Sequence, residues 1–524
     1  MPSVPAEKLR RIDSLQMEPA AVQPGLGATT APAQLEATTR PAGAEYALTI
    51  EEARRLALEN NLDLRVELFN PQIARENLGA EEARFEALFT TDANFAVTDA
   101  PVVNRTLSSQ ARTLGVTPGV TLPLRTGGVL RFSAPMDWLE TNNEFATLNP
   151  AYTTTPQATL SHPLLRGAGA FYAEQGIRIA RYAQLQSEAR TKLAVIAVLT
   201  NVDRVYWQLY AARQDLIVRK QEYDRAIAQL DRSRRMTEAG TAAEVEVVRA
   251  ESGVADSIEA IINAEDDVRT RQRDLKRILN RPGLGMETDT VLVPSTKPKV
   301  LYYRVEPERL AQEALNRRME MLEVELQIAE QTSEVRVARN DLLPLVNLTY
   351  TYGVSGLGGR FDEAFAMVRD NDFNAHTVGL HVEVPLGNAA AKARLRRALA
   401  LRMQSLASKD QRIAAIRQEL FDALDRLNTD WYRILAARKR VVAAQRVLDV
   451  EVRAFTQGLR NSTEVVEAQT RLANAQSAEV AAVADYQIAQ VDIAVATGTT
   501  LGQAAVSWGG GEEVSAAQTT NGHE

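Results

Sequence analysis

The sequence predicts a mainly α, α+β fold in which long coiled-coil helical hairpins join short amphipathic strands, in two internal structural repeats. Three observations lead there. Residues 389–457 contain neither Pro nor Gly and are rich in Ala, Arg, Leu, Gln and Glu, and residues 177–239 share that character. Four short segments elsewhere alternate apolar and polar side chains. The whole order of elements then recurs at an offset of about 255 residues, which marks a duplication of a large unit.

Each element can be justified in order. Residues 1–45 are rich in Pro, Ala, Gly and Thr, a composition that buries too little apolar surface to fold, so a disordered N-terminal segment is expected. The first repeat, 46–295, opens with a short helix over about 48–85 containing ALENNLDL; the second, 296–505, opens with one over about 305–340 containing ALNRRMEML. In both, Ile-Ala and Ala-Arg pairs follow at matching distances: Ile73 and Ala74, then Ala83 and Arg84, against Ile328 and Ala329, then Ala338 and Arg339.

A β region comes next. In HTVGLHVEVP, Val378, Leu380, Val382 and Val384 share one face, opposite Thr377, Gly379, His381 and Glu383. NLTYTYGV sets Leu348, Tyr350 and Tyr352 against Thr349 and Thr351, and FTTDANFAV sets Phe89, Phe95 and Val97 against Thr90, Asp92 and Asn94. QATLSHP is a less regular fourth. Such segments suit a soluble sandwich or a lipid-facing barrel with a wet lumen. Four strands separated by long helices cannot close a barrel, and an open sheet leaves edges exposed. Lipid tolerates only helices and closed barrels, so a membrane barrel requires several copies to pool their strands.

The Pro- and Gly-free runs follow. At about 1.5 Å per residue each extends about 90–100 Å, longer than any one globular core, so they must pack side by side as coiled coil. Each ends at a glycine, Gly240 or Gly458, after which a second long helix is expected. Aligning EAGTAAEVEVVRAES on Gly458 places Glu246 on Glu464, Val247 and Val248 on Val465 and Val466, and Ala250 on Ala468. Residues 506–524, which include GGGEEVSAAQTTNGHE, are expected to be a disordered tail.

Composition removes several functions. The net charge is −7 with 24% of residues charged and both signs interspersed, which argues against a nucleic-acid partner. The absence of Cys excludes thiolate zinc sites, iron-sulfur clusters, cysteine nucleophiles and disulfides, and fits the periplasm. No run reaches about 18 apolar residues, so no transmembrane helix is expected. The start, MPSVPAEKLRRIDSLQMEPAAV, lacks an export signal. Either the protein is cytoplasmic or a signal precedes this numbering, and we prefer the second.

The leading LTIEEARRLALENNLDL, VARNDLLPLVNLTYTYG entering a strand, VGLHVEVPLGN leaving one, and the closing GLRNSTEVVEAQTRLANAQ together resemble the TolC family of outer-membrane efflux proteins, from about Leu48 to Gly502. The resemblance implies a homotrimer in which four strands per chain close a twelve-stranded transmembrane β-barrel in outer-membrane lipid. The helices would continue it as a periplasmic α-barrel. It further implies a passive exit duct for efflux or type I secretion, coupled by a periplasmic adaptor (membrane fusion protein) to an inner-membrane pump of RND or ABC type. No cofactor is implied. Residues 99–155 depart from the family pattern: they are long for an external loop and carry a hairpin signal around Thr126, Gly127 and Gly128, either an extracellular β-hairpin or an extension of the strands.

Site residues follow from the same resemblance. The family's closed end lies at the hairpin tips, whose turns, Gly240 and Gly458, would contact the adaptor. Its gating tyrosine falls at Phe455, its gating arginine at Arg460, and its two pore-ring aspartates at Glu464 and Glu467. The acidic partner of the gate falls at Glu246. Glu464 and Glu467 are three apart and share a helix face; tripled by symmetry they would form carboxylate rings that favour cations. Capping is the competing reading, because Glu in a first turn is stabilised by the helix dipole and a start such as Ser462 followed by acidic residues is a common cap. Pro163 and Pro385 end the second strand of each half, as simple terminators or, following the family, as the transition from barrel to helix.

Other constellations are poor. His162, His376, His381 and His523 are the only histidines, and two of them, five apart in one strand, face opposite ways, so no metal site is expected. RGAGAFYAEQG lacks the spacing of a phosphate loop. No catalytic triad or carboxylate pair is arranged, and no enzyme is expected. The runner-up is a soluble periplasmic coiled-coil adaptor or structural protein of an export complex, which should carry one hairpin rather than two.

Overall fold

The structure is a computed structural model that describes residues 44–103 and 108–506. The two expected tails and His523 therefore fall wholly or almost wholly outside the described residues. Two helical hairpins dominate. The outgoing helices are Gln175–Glu238, of 64 residues, and Ala389–Thr456, of 68; the returning helices are Glu244–Leu279, of 36, and Ser462–Ala496, of 35. At about 1.5 Å per residue the outgoing helices span about 100 Å and the returning ones about half of that.

A second long helix follows each turn as expected, though only about half as long as its partner, and each stop is local. The first ends on Asn280 in the left-handed region (φ 41°), two residues before Pro282, and the second at Thr497 before Gly498 (φ 69°). Beyond those stops, helix Phe69–Glu82 packs along the first outgoing helix and Met319–Asn340 along the second. Buried positions of the last returning helix are largely Ala, including Ala468, Ala475, Ala482 and Ala489. Side chains this small bring helix axes close.

Midway along the hairpins, strand Glu45–Leu48 pairs in parallel with Val291–Pro294. The fully buried Tyr206 of the first outgoing helix holds them: its hydroxyl donates to the Leu48 carbonyl at 2.9 Å and accepts from the Thr296 N–H at 3.0 Å. Beside it Arg54, from helix Ile50–Asn60, donates through Nε and Nη2 to both carboxylate oxygens of Asp203 at 2.7 and 2.8 Å.

The sheet lies at the other end of the hairpins from the tips. Its strands run Leu88–Asp99, Gln110–Pro123, Val129–Ser133 with Met136–Thr141, Ala151–Thr154 with Gln157–Pro163, Leu345–Val354 with Gly356–Gly358, and Asn374–Glu383, each antiparallel to the next. Pro135 and Pro156 break two of them because proline donates nothing to the ladder. Thr155 N–H still reaches the Pro135 carbonyl and Val354 N–H the Pro156 carbonyl, both at 3.0 Å. The sheet therefore has six strands in meander order, two more than the four expected per chain. The four expected strands are all present, and residues 110–141 insert a hairpin between the first and the second.

Candidate pore constriction at the hairpin tips

Both tips turn on a glycine whose conformation demands it. Gly240 and Gly458 have φ of 72° and 73°, a region that costs other L-residues energy and that commonly closes helices. The N–H groups of Thr241 and Leu459 bond back to the carbonyls of Met236 and Ala454 at 2.9 and 3.0 Å.

The two returning helices start differently. In the second, Asn461 and not Ser462 is the cap: its side chain accepts from Glu464 N–H at 3.2 Å while the Glu464 carboxylate accepts from Asn461 N–H at 3.0 Å. Glu464 also pairs with Arg460 at 2.7 Å, and Arg460 lies 3.7 Å from Glu451. In the first, Ala243 offers no side-chain cap. Glu246 instead reaches across to the other hairpin, accepting from the Ser462 N–H at 2.5 Å, and pairs with Arg249 at 2.8 Å. A carboxylate of one hairpin thus satisfies an orphan donor of the other.

Arg460, Glu464 and Glu246 are thereby brought together through the start of one helix. Glu467 is exposed one turn further along the face of Glu464. Phe455 is not among them: it is 2% exposed, in an apolar cluster with Leu448, Val465, Ala468 and Leu472, against Met236 of the first hairpin. The position to which the resemblance carries the tyrosine is here a core position between the two helices of the second hairpin, with Met236 of the first hairpin at its edge. The sequence reading missed a second close approach. A Cβ on Gly253, in the first returning helix, would come 2.8 Å from Val466 Cγ1 of the second. Gly inside a helix costs about 1 kcal/mol relative to Ala, and that cost was the available signal.

Elsewhere, Pro163 is the last residue of its strand, opposite Asn347, and Pro385 lies two residues past Glu383, the end of its own. His162 bridges the Pro163 carbonyl at 2.8 Å and the Thr126 hydroxyl at 3.0 Å, and His376 meets the Tyr350 hydroxyl at 2.9 Å. His381 lies opposite Asn347 on the other sheet face.

The tip is expected to loosen in acid. The Asn461 N–H and then the Arg460 guanidinium stabilise the charged Glu464, holding its carboxyl below the ordinary value of 4.5. A lowered acid contributes stability that is present above its unfolded value and lost as pH falls through its folded one. We expect proteolytic nicking at 457–462 to rise as pH drops below about 4.5, with Glu464→Gln nicked more readily at neutral pH and insensitive to that drop. A wild-type nicking rate independent of pH would refute this.

Paired long helical hairpins leading away from an antiparallel sheet with one apolar face define the fold class of this chain. The match is to the family model described as outer membrane efflux protein, over residues 147–281 and 310–499, more than half of the chain, and the chain belongs to that family. It is 26% identical over 193 residues to outer membrane protein TolC of Salmonella enteritidis, covering 36% of this chain and 39% of that protein. It is 23% identical over 297 residues to nodulation protein T of Rhizobium leguminosarum bv. viciae, covering 56% and 58%. The chain thus spans less than two thirds of the length of these curated relatives. Its fold matches the solved outer-membrane channel OprN with a TM-score of 0.63 at 18% identity, over 86% of this chain and 90% of that one.

Proposed function

We propose that three copies of this chain assemble into a passive outer-membrane channel, the exit duct of a tripartite efflux or type I secretion system. Two repeats, 46–295 and 296–505, each contribute strands to a closed barrel in outer-membrane lipid and one hairpin to a helical duct in the periplasm. The observation that carries this reading is a sheet with two unpaired edges, strands Leu88–Asp99 and Asn374–Glu383, joined to helices about 100 Å long. Such edges are satisfied in lipid only by closure with further copies. Pro163 and Pro385 mark the passage from barrel to duct. A periplasmic adaptor would engage the tips at Gly240 and Gly458 and an inner-membrane RND or ABC pump would drive transport; no residue of the duct performs catalysis.

Glu464 and Glu467 line the narrow end, where symmetry makes each a ring of three carboxylates. Arg460 and Glu246 hold that end closed, Glu246 through the Ser462 N–H and Arg460 through Glu464. Fractionation on an unheated gel is expected to find an oligomer in the outer membrane, and monomer in the soluble fraction would overturn the reading. In a planar bilayer, the double substitution of Glu464 and Glu467 by Ala is expected to lower cation selectivity and block by multivalent cations. Unchanged selectivity would leave both residues as helix-start carboxylates without a pore role.

A further inference from the structure

We propose that each chain contributes six strands, not four, to the barrel wall, so that three copies close an eighteen-stranded barrel whose joints pair strand Leu88–Asp99 of one copy with Asn374–Glu383 of the next. This rests on the trimeric channel reading above. The inserted strands carry the same two faces as their neighbours. Reading across the register, Phe95 lies opposite Leu114, Leu114 opposite Trp138, and Val120 opposite both Phe89 and Phe132. The row continues through Ala158 to Tyr352. On the other face Asp92 meets Thr117, Thr121 meets Arg131, Arg131 meets Thr159, and Thr159 meets Thr351. Leu88, Val129, Leu139, Leu345 and Leu357 are exceptions on the polar face, and Arg112, Glu140, His162 and His376 on the apolar one, most of them near strand ends.

An external cap would have no reason to align its apolar residues with those of a membrane wall. Here the apolar face is exposed across the sheet, Phe95 at 63% and Val378 at 71%, an area that a soluble surface rarely presents. The inserted strands are also long enough: a tilted strand needs about 9–11 residues to cross a bilayer, and Gln110–Pro123 has 14. The apolar row stops where Asp99 faces Gln110 and Arg112 pairs with Glu140 at 3.5 Å. From Phe89 to Val97 it runs about 26 Å along the strand at about 3.3 Å per residue, or about 20 Å across the membrane at a tilt of about 40°, somewhat short of the roughly 25 Å band of known barrels.

The ends of the insertion fit the same orientation. Its turn, 124–128, is short and sits at the junction with the helices, where Thr126 meets His162 and Arg125 pairs with Glu174 at 3.3 Å. Residues 100–103, 108–109 and 142–150 lie at the opposite end, the usual placing of longer outer loops opposite short periplasmic turns. Both edge strands are exposed along almost their whole length. One leaves the helical end and the other returns to it, so the next copy meets the edge antiparallel. Barrel diameter grows about linearly with strand number, so this barrel would be about one and a half times as wide as a twelve-stranded one.

The chain has no Cys, so single cysteines report one position each. The full-length chain is reconstituted in phosphatidylcholine vesicles with brominated acyl chains, carrying Val116→Cys or Thr117→Cys in the insertion, or Leu348→Cys or Thr349→Cys in an expected barrel strand. We expect the Val116 and Leu348 sites, bearing a fluorophore, to be quenched equally by the brominated lipid. The Thr117 and Thr349 sites should escape quenching and react with a membrane-impermeant maleimide. Alternation at 348 and 349 with equal aqueous labelling at 116 and 117 would overturn the six-strand wall and leave the channel reading standing. Loss of alternation at both pairs would overturn the channel reading and the inference with it.

Discussion

Replacing Asp203 by Ala is expected to destabilise the chain by about 3–5 kcal/mol, the usual cost of removing one partner of a buried ion pair. The side chains of Asp203 and Arg54 are 4% and 13% exposed, and both carboxylate oxygens are engaged. Burial pushes the Asp203 carboxyl up from its ordinary value, and the Arg54 guanidinium opposes that shift. Left alone, Arg54 would hold an uncompensated charge at the seam between helix Ile50–Asn60 and the first outgoing helix. The double variant Arg54→Met with Asp203→Leu removes both charges and should recover most of the loss. Urea unfolding followed by circular dichroism measures all three. A double variant as unstable as Asp203→Ala would show that the site depends on the pair itself, not on avoiding a buried lone charge.

The second large effect is at the tips. Phe455→Ala should cost about 3–5 kcal/mol, because a buried aromatic ring leaves a cavity that its neighbours only partly fill. Since those neighbours come from the facing helices of the second hairpin, with Met236 of the first against them, the loss falls on the packing of that tip and loosens its seat on the first hairpin. We expect the closed conductance in a planar bilayer to rise. Phe455→Tyr separates two views of this position. If it were a latch facing the lumen, a phenol would strengthen closure. Placed in the apolar cluster, the hydroxyl lacks a partner and should cost about 1–3 kcal/mol, so the tyrosine variant is expected to leak more than the wild type. A tighter closed state in Phe455→Tyr would contradict the core placement.

Much of the fold was legible because it is written in local periodicity. A run such as 389–457, free of Pro and Gly, has little choice but helix, and period-two segments such as 374–383 read as strands with one wet face. Gly240 and Gly458 were legible as turns because few other residues adopt their backbone. The inserted strands were harder to read: VTPGVTLP carries Pro and Gly within a strand, which weakens the pattern, and its wall partners lie elsewhere in the chain. Asn461 rather than Ser462 as cap, and the half-length of the returning helices, turn on details of one turn that propensity does not resolve.

What the sequence determined by itself is the inventory: long amphipathic helices, two-faced strands, glycine turns and the absence of Cys. The tertiary structure alone decided which of these meet. The register that sets Thr159 beside Thr351, the bond from Glu246 to the Ser462 N–H, the burial of Phe455 and the contact of Gly253 with Val466 all join residues about 190–220 positions apart or bury one at their junction. Periodicity extends over one element, whereas each of these pairings depends on which donors and apolar faces remain unsatisfied once the elements pack.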